Sequence, residues 1–249
     1  MKDAYLKYIL TDRLCFIPKQ PALLVVNKNR HLIISDLHLR LPRLRDISIA
    51  REILTSEILR IISLVRKYKI DIVVINGDLK EEIRKPSKLF SKHLNDSFQL
   101  LAENVKKIVI CKGNHDGLLE NILQIENVSM CDSYKCADVL ISHGHKRISI
   151  EKLKNVNIVI TAHLHPVALI THQNFIIKMK CWVISLIRLI QQEQRTLLWI
   201  IEPAFSKTWG FPISHVKKEY LEKNAPIQGI KIEKTFLLSL DLLFLKSLE

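Results

Sequence analysis

A chain of 249 residues is long enough to bury a sizeable core, and 48% hydrophobic against 25% charged residues is the balance of a folded soluble protein, which excludes a disordered one. Thirty-eight Lys and Arg against 25 Asp and Glu leave a net charge of +13, which favours an anionic partner, nucleic acid before an acidic membrane surface, without selecting one. The five cysteines (Cys15, Cys111, Cys131, Cys136, Cys181) have no C-x-x-C spacing, so neither a disulfide framework nor a Cys-type zinc site is indicated and a reducing cytoplasm fits.

Lys7, Asp12 and Arg13 interrupt the N-terminal apolar runs, so no secretory signal is read, and the apolar stretch 181–201 is broken by Arg188 and the Gln-rich 191–195. No membrane association is expected. Ala22 to Val26 and Leu32 to Ile34 predict a hairpin around Asn27 to Arg30. A basic segment, Leu39 to Arg45, follows; its arginines suit bidentate phosphate contacts or a solvated loop. From Asp46 to Tyr68 apolar residues recur at three and four (Ile49, Ile53, Leu54, Ile58, Ile61, Ile62, Val65), predicting an amphipathic helix capped by Asp46.

Asp71 to Asp78 is a β-branched run that closes on Gly77-Asp78, and strand, helix, strand at this spacing predicts a parallel crossover. A second helix is expected over 87–104 and a third buried strand over Lys107 to Cys111, ending in Gly113-Asn114-His115-Asp116. Beyond it come a short helix over 118–125, strands over 128–130, 137–142, 157–162 and 167–171, a helical turn over 148–153, and a hairpin of 180–187 with 196–201. Residues 206–235 read as mostly irregular and 236–248 as an apolar tail, helix or edge strand. With no repeat, low-complexity tract or Gly/Pro/Ser-rich linker, residues 1–249 are read as one domain on which 206–249 packs as an extension.

The chemistry gathers at strand ends. Asp36 and His38 follow the first parallel strand, where open α/β sheets bind ligands, and carboxylate with neutral imidazole suits Zn, Mn or Fe better than Ca or Mg. Taken singly, such residues are turn formers or solvated histidines. Three successive strands ending in metal-capable side chains, then His143-Gly144-His145 and His163-Leu164-His165 after two more, outweigh that reading. His145 is either a substrate-side group or a surface residue, and His31, His93, His172 and His215 match no motif and are expected in solvent.

The ordered series Asp36-x-His38, Gly77-Asp78, Gly113-Asn114-His115-Asp116, His143-x-His145 and His163-x-His165 resembles the signature of the calcineurin-like metallophosphoesterases. Gly77-Asp78-Leu79-Lys80, Pro21-Ala22-Leu23, Cys181-Trp182-Val183 and Pro203-Ala204-Phe205 look like SbcD-related archaeal phosphoesterases and their bacterial relatives associated with DNA ligase and helicase genes. The resemblance implies a four-layer α/β fold: two packed mixed β-sheets flanked by helices, with the metal site at the carboxyl ends of strands. It implies that Asp36, His38 and His165 hold one divalent ion, Asn114, His143 and His163 a second, and that Asp78 bridges them; manganese is the first choice, iron or zinc the others. His115 would protonate the leaving oxygen and Asp116 would orient its ring. Arg40 stands where the family often has Gly, which puts substrate preference rather than metal binding in question, and Ala162 stands where Gly often precedes the last His-x-His, a small change expected to be tolerated.

The expected activity is hydrolysis of a phosphodiester, nucleic acid or nucleotide, by a hydroxide bridging two ions about 3.5 to 4 Å apart. The alternatives are a small-molecule phosphomonoesterase and a non-catalytic nucleic-acid-binding protein on the same fold. A DNA-repair or ligase/helicase association is the partner the resemblance suggests.

Overall fold

Continuous apolar strands need cover on both faces, and β3 (Arg30–Ile34), β4 (Ile72–Ile75) and β5 (Lys107–Cys111) obtain it. The computed structural model describes residues 13–40, 47–173, 175–190 and 195–249, without the side chains of 47–50. With β1 (Leu14–Phe16), β2 (Leu23–Val26) and β6 (Val128–Cys131) these strands form a six-stranded sheet in sequence order. β3, β4, β5 and β6 run parallel, and β2 joins β3 through the expected hairpin.

The pleat sorts alternate residues. Leu32, Ile34, Val73, Ile75, Ile108 and Ile110 face the helices, whereas Ile33, Val74, Val109 and Cys111 face a second sheet. On the helical side α1 (Ile47–Tyr68) buries Leu54, Ile58, Ile61, Ile62 and Val65, while Ile53 of the expected stripe is exposed. α2 (Lys88–Ala102) starts where Ser87 Oγ accepts the Phe90 N–H at 3.1 Å, and it buries Phe90, Leu94, Phe98 and Leu101.

The second sheet has nine strands. They are β7 (Tyr134–Cys136), β8 (Val139–Ile141), β9 (Ile158–Thr161), β10 (Pro166–His172), β11 (Phe175–Leu189), β12 (Thr196–Ile201), β13 (Phe211–Pro212), β14 (Ile230–Ser239) and β15 (Phe244–Ser247). Trp182, Ile184, Ile160 and Ile200 meet the first sheet, and the outer face is covered by the 3-10 turn Ile150–Leu153 and by α3 (Lys218–Asn224). The result is the four-layer α/β architecture, helices on sheet on sheet on short helices.

Three expectations are corrected. The helix over 118–125 is a single 3-10 turn, Leu119–Asn121, because Leu118 is left-handed at φ 68°. The strand expected over 137–142 is present as β8 but begins only at Val139, since Ala137 at φ 54° turns the chain tightly out of β7. The irregular stretch contains α3 and most of β14, which runs antiparallel to β11 from Cys181↔Ser239 to Leu189↔Ile230; Lys231, Glu233 and Lys234 are exposed, the last two side by side at a register shift, and disguise a strand whose inner residues there are Ile230 and Ile232. Asp46, Arg43 and Arg45 lie outside the described residues. Among the described residues no helix is long and apolar enough to cross a membrane.

Candidate metal centre

The loops leaving β3 and β4 continue to pair beyond the sheet: Asp36 N–H donates to Gly77 O at 3.0 Å, His38 N–H to Asp78 O at 2.9 Å and Leu39 N–H to Leu79 O at 2.8 Å. This lacing brings Asp36, His38 and Asp78 to one point. Asp36, His38, Asp78, His163 and His165 all adopt positive φ, between 45° and 67°, a conformation non-glycine residues avoid and one that clusters at functional sites. Gly113 allows the approach of the next loop, because a Cβ there would stand 2.1 Å from Asp78 Oδ1.

Two donor clusters result, Asp36 with His38, Asp78 and His165, and Asp78 with His143 and His163, each with its ligand atoms within 4.8 Å of one another. Asp78 belongs to both. In the first, His165 Nε2 lies 2.9 Å from Asp36 Oδ1 and 3.3 Å from His38 Nε2. In the second, His143 Nε2 lies 3.3 Å from Asp78 Oδ2 without a hydrogen-bond partner, and His143 Nδ1 donates to Asn76 O at 2.8 Å, so Nε2 keeps its lone pair for the cluster.

Buried Asp36 Oδ2, His143 Nε2 and His163 Nδ1 have no partner within the protein, an arrangement costly unless a cation takes their lone pairs. Electrostatics agree. Burial would lower the His143 pKa, but Asp78 and Asp36 outweigh it and hold it at about 9. Burial works against ionisation of Asp78 too, and the imidazole of His143 and the His115 N–H overcome it, holding the carboxyl well below its usual range. The pocket is built for positive charge, and imidazole with carboxylate is a donor set that fits two divalent transition-metal ions.

Asn114 sits exposed in the same turn. His115 is brought to the edge. Its backbone N–H donates to Asp78 Oδ1 at 2.9 Å, its Nδ1 donates to Glu81 O at 2.5 Å, and its Nε2 stands 4.0 Å from Asp78 Oδ2. The expected Asp116 contact to that ring is not made. Asp116 is buried with both oxygens engaged, accepting from Leu79 N–H and Gly113 N–H at 2.8 Å each, so it ties the Asp78 loop to the Gly113 loop while the Glu81 carbonyl orients His115. His145 is half-buried with its ring 5.3 Å from that of His143, and burial lowers its pKa to about 4. His31 and His93 are corrected from solvent to core, at 2% and 7% exposure, His31 against Tyr134 Oη and Cys136; His172 and His215 are exposed as expected. Arg40 points outward to Glu81, 3.2 Å away.

Four residues carry a role their neighbours in sequence did not signal. Lys80 is fully buried and donates to the Glu82 and His115 carbonyls. Lys180, lowered to about 8 by burial and Arg60, donates to the carbonyls of Ala204 and Ser206. Glu202 is wholly buried, raised to about 8 by that burial, and accepts from Asn76 Nδ2 at 2.9 Å. Trp209 stacks on His38. A lysine directly after Gly-Asp-Leu and a carboxylate closing an apolar strand were the available signals.

Two facing mixed sheets with a shared-carboxylate donor pair at their strand ends define a metallophosphoesterase. The sequence profile of the calcineurin-like phosphoesterases matches residues 30–168, more than half of the chain, and the chain belongs to that family. Among solved structures, the nuclease MPE of Pseudomonas putida is similar over 92% of this chain and 98% of its own, at 15% identity and a TM-score of 0.57. The Escherichia coli phosphoesterase Yfce is similar over 88% and 97% at 15% identity and TM-score 0.41, and an archaeal phosphodiesterase over 68% and 97% at 20% identity and TM-score 0.33. No curated protein sequence matches the chain. The protein is therefore a hydrolase of phosphoester bonds with a His/Asp metal centre.

Proposed function

We propose that the chain hydrolyses a phosphodiester in nucleic acid or a nucleotide, using two divalent ions, manganese first. The observation that carries the reading is the pair of clusters joined through Asp78 with His115 Nε2 4.0 Å from the shared carboxylate. Bound ions supply charge for the phosphoryl oxygens and acidify water for attack. The chain's own part is orientation and proton delivery. Asp36, His38 and His165 fix one side of the centre, and His143, aligned by the Asn76 carbonyl, and His163 fix the other, with Asn114 as the remaining donor of that side. His115 donates a hydrogen bond from Nδ1–H to the Glu81 carbonyl, which leaves Nε2 to carry a second proton to the leaving oxygen. The net charge of +13 supports a polyanionic substrate, and the P. putida neighbour, a nuclease by name, supports the same class. An SbcD-like affiliation and a cytoplasmic location belong to this proposal.

The test is metal-dependent turnover by the chelated protein, offered bis-p-nitrophenyl phosphate, p-nitrophenyl phosphate and single-stranded DNA in turn, with Asp78→Ala as control. Diester and DNA cleavage that requires added metal and disappears in the variant supports the reading. Cleavage of the monoester alone, or none despite stoichiometric metal, overturns it.

A further inference from the structure

The imidazoles around the centre are not held alike. His143 is fixed by its Nδ1–H on the Asn76 carbonyl at 2.8 Å and His115 by its Nδ1–H on the Glu81 carbonyl. Ligand histidines ordinarily need such a bond from the second nitrogen, since it fixes tautomer and ring plane. His38 lacks one. Its side chain is 1% exposed, its Nε2 faces His165 Nε2, and its Nδ1 is buried with no hydrogen-bond partner. What lies against the ring is an indole: Trp209 stacks on it with centroids 4.3 Å apart and planes 21° from parallel, and meets the His165 ring edge-on at 5.4 Å.

The segment that carries Trp209 is strapped across this half of the centre. Phe205 N–H donates to Ser35 O at 2.8 Å and Ser206 N–H to Asp36 O at 3.1 Å, and at the far end Phe211 N–H donates to His165 O at 2.7 Å. Lys180 holds the Ala204 and Ser206 carbonyls, and the Arg60 guanidinium lies 3.8 Å over the Phe205 ring. Gly210 beside Trp209 presses on Val167, whose Cγ1 a Cβ would meet at 2.4 Å. Both ends of the strap are thus fastened to the backbone of cluster residues, and the tryptophan outside the inter-sheet and strand core lands on a ligand ring whose second nitrogen no hydrogen bond orients. The strap lies beyond the residues matched by the family profile, 30–168.

We propose that Trp209 is a positioning residue for the Asp36/His38/His165 ion: stacking, in place of a hydrogen bond, fixes the His38 ring plane and so sets the affinity of that ion but not of its neighbour. The inference rests on the metal-centre reading and on no assumption about substrate. A flat aromatic surface is the requirement, so phenylalanine serves and a branched aliphatic of similar bulk does not.

The experiment uses the full chain freed of metal with chelator, as wild type, Trp209→Phe and Trp209→Leu, titrated with Mn²⁺ alone by calorimetry and by indole emission. A melting curve of each metal-free protein records folding. The expected result is two ions in all three proteins, one of them weakened about 10- to 100-fold in Trp209→Leu and recovered in Trp209→Phe, the range typical of losing a ligand's outer support. The wild type should also show a Mn²⁺-dependent emission change that is absent from Trp209→Phe, where only the buried Trp182 and Trp199 remain. Equal affinities in wild type and Trp209→Leu, equal weakening of both ions, failure of Trp209→Phe to rescue, or an emission change that survives in Trp209→Phe would each overturn the proposal. If Trp209→Leu does not fold, the Phe variant and the emission change still decide. Normal metal binding without phosphoester turnover would sink the proposed function and leave this inference standing.

Discussion

His115 is the residue on which chemistry and metal binding separate. Its Nε2 is 4.0 Å from Asp78 Oδ2, close enough to serve a leaving group, yet it belongs to neither donor cluster. His115→Ala should therefore leave metal content unchanged and lower kcat by about 10²- to 10⁴-fold, the usual yield of a general acid. The check is metal analysis beside turnover; a variant that turns over normally refutes the acid role. Glu202 makes a pH prediction. Burial raises its carboxyl from 4.5 to about 8 in the folded protein, helped by Asp36 and opposed by the Asn76 hydrogen bond. Between those values the folded chain binds a proton the unfolded chain does not, so this contribution to stability is complete below the lower value and is lost as pH rises through the higher. Glu202→Gln keeps the shape without the titration. Urea unfolding in chelator at several pH values should show the variant gaining on the wild type by at most about 1.4 kcal/mol per pH unit across that window. Parallel curves would mean that Glu202 stays ionised.

At the scale of elements, the centre depends on loops that nearly touch. Gly113→Ala puts a Cβ 2.1 Å from Asp78 Oδ1 and 2.4 Å from Asp78 N, so something must move. The expected cost is about 1–3 kcal/mol, as for other overpacked sites. Because Asp78 serves both clusters, both ions should weaken together, unlike the one-sided loss assigned to Trp209. Gly117→Ala, with nothing within 4 Å of its Cβ, is the matched control and should melt with the wild type. Thermal melts with and without Mn²⁺ check both. The same loops explain what was legible in the sequence. β3, β4 and β5 announce themselves through unbroken apolar runs, and each stops at the residues that form the centre, so Asp36, His38 and Asp78 could be placed from pattern alone. Asp116 was misassigned because chain adjacency to His115 does not say which way a side chain points: its oxygens turn inward to Leu79 and Gly113. β14 was missed because its exposed face is charged, and Trp209 because a lone aromatic in a Ser/Lys/Thr/Gly segment has no period to betray it; only the pairing of distant backbones, Phe211 with His165 and Ser206 with Asp36, brings it home.

Across the whole molecule the open question is what the charge is for. An excess of 13 positive charges is expensive in self-repulsion unless a polyanion shares it, and the ions in the centre would add to it. If the substrate is a nucleic-acid strand, lysines and arginines away from the centre displace counterions from its phosphates, and binding must weaken with salt by about 0.7 log units per contacted phosphate for each tenfold rise. A small diester offers a single phosphate and no counterion atmosphere to release. Raising salt between about 50 and 200 mM should therefore lower kcat/KM for single-stranded DNA steeply while leaving that for bis-p-nitrophenyl phosphate nearly flat, measured in the same buffer with the same metal. The ratio of the two slopes isolates the surface from the centre, since any salt effect on metal affinity or on His115 enters both. Equal slopes would assign the charge to some purpose other than substrate capture and would move the substrate towards a small phosphodiester held by the centre alone.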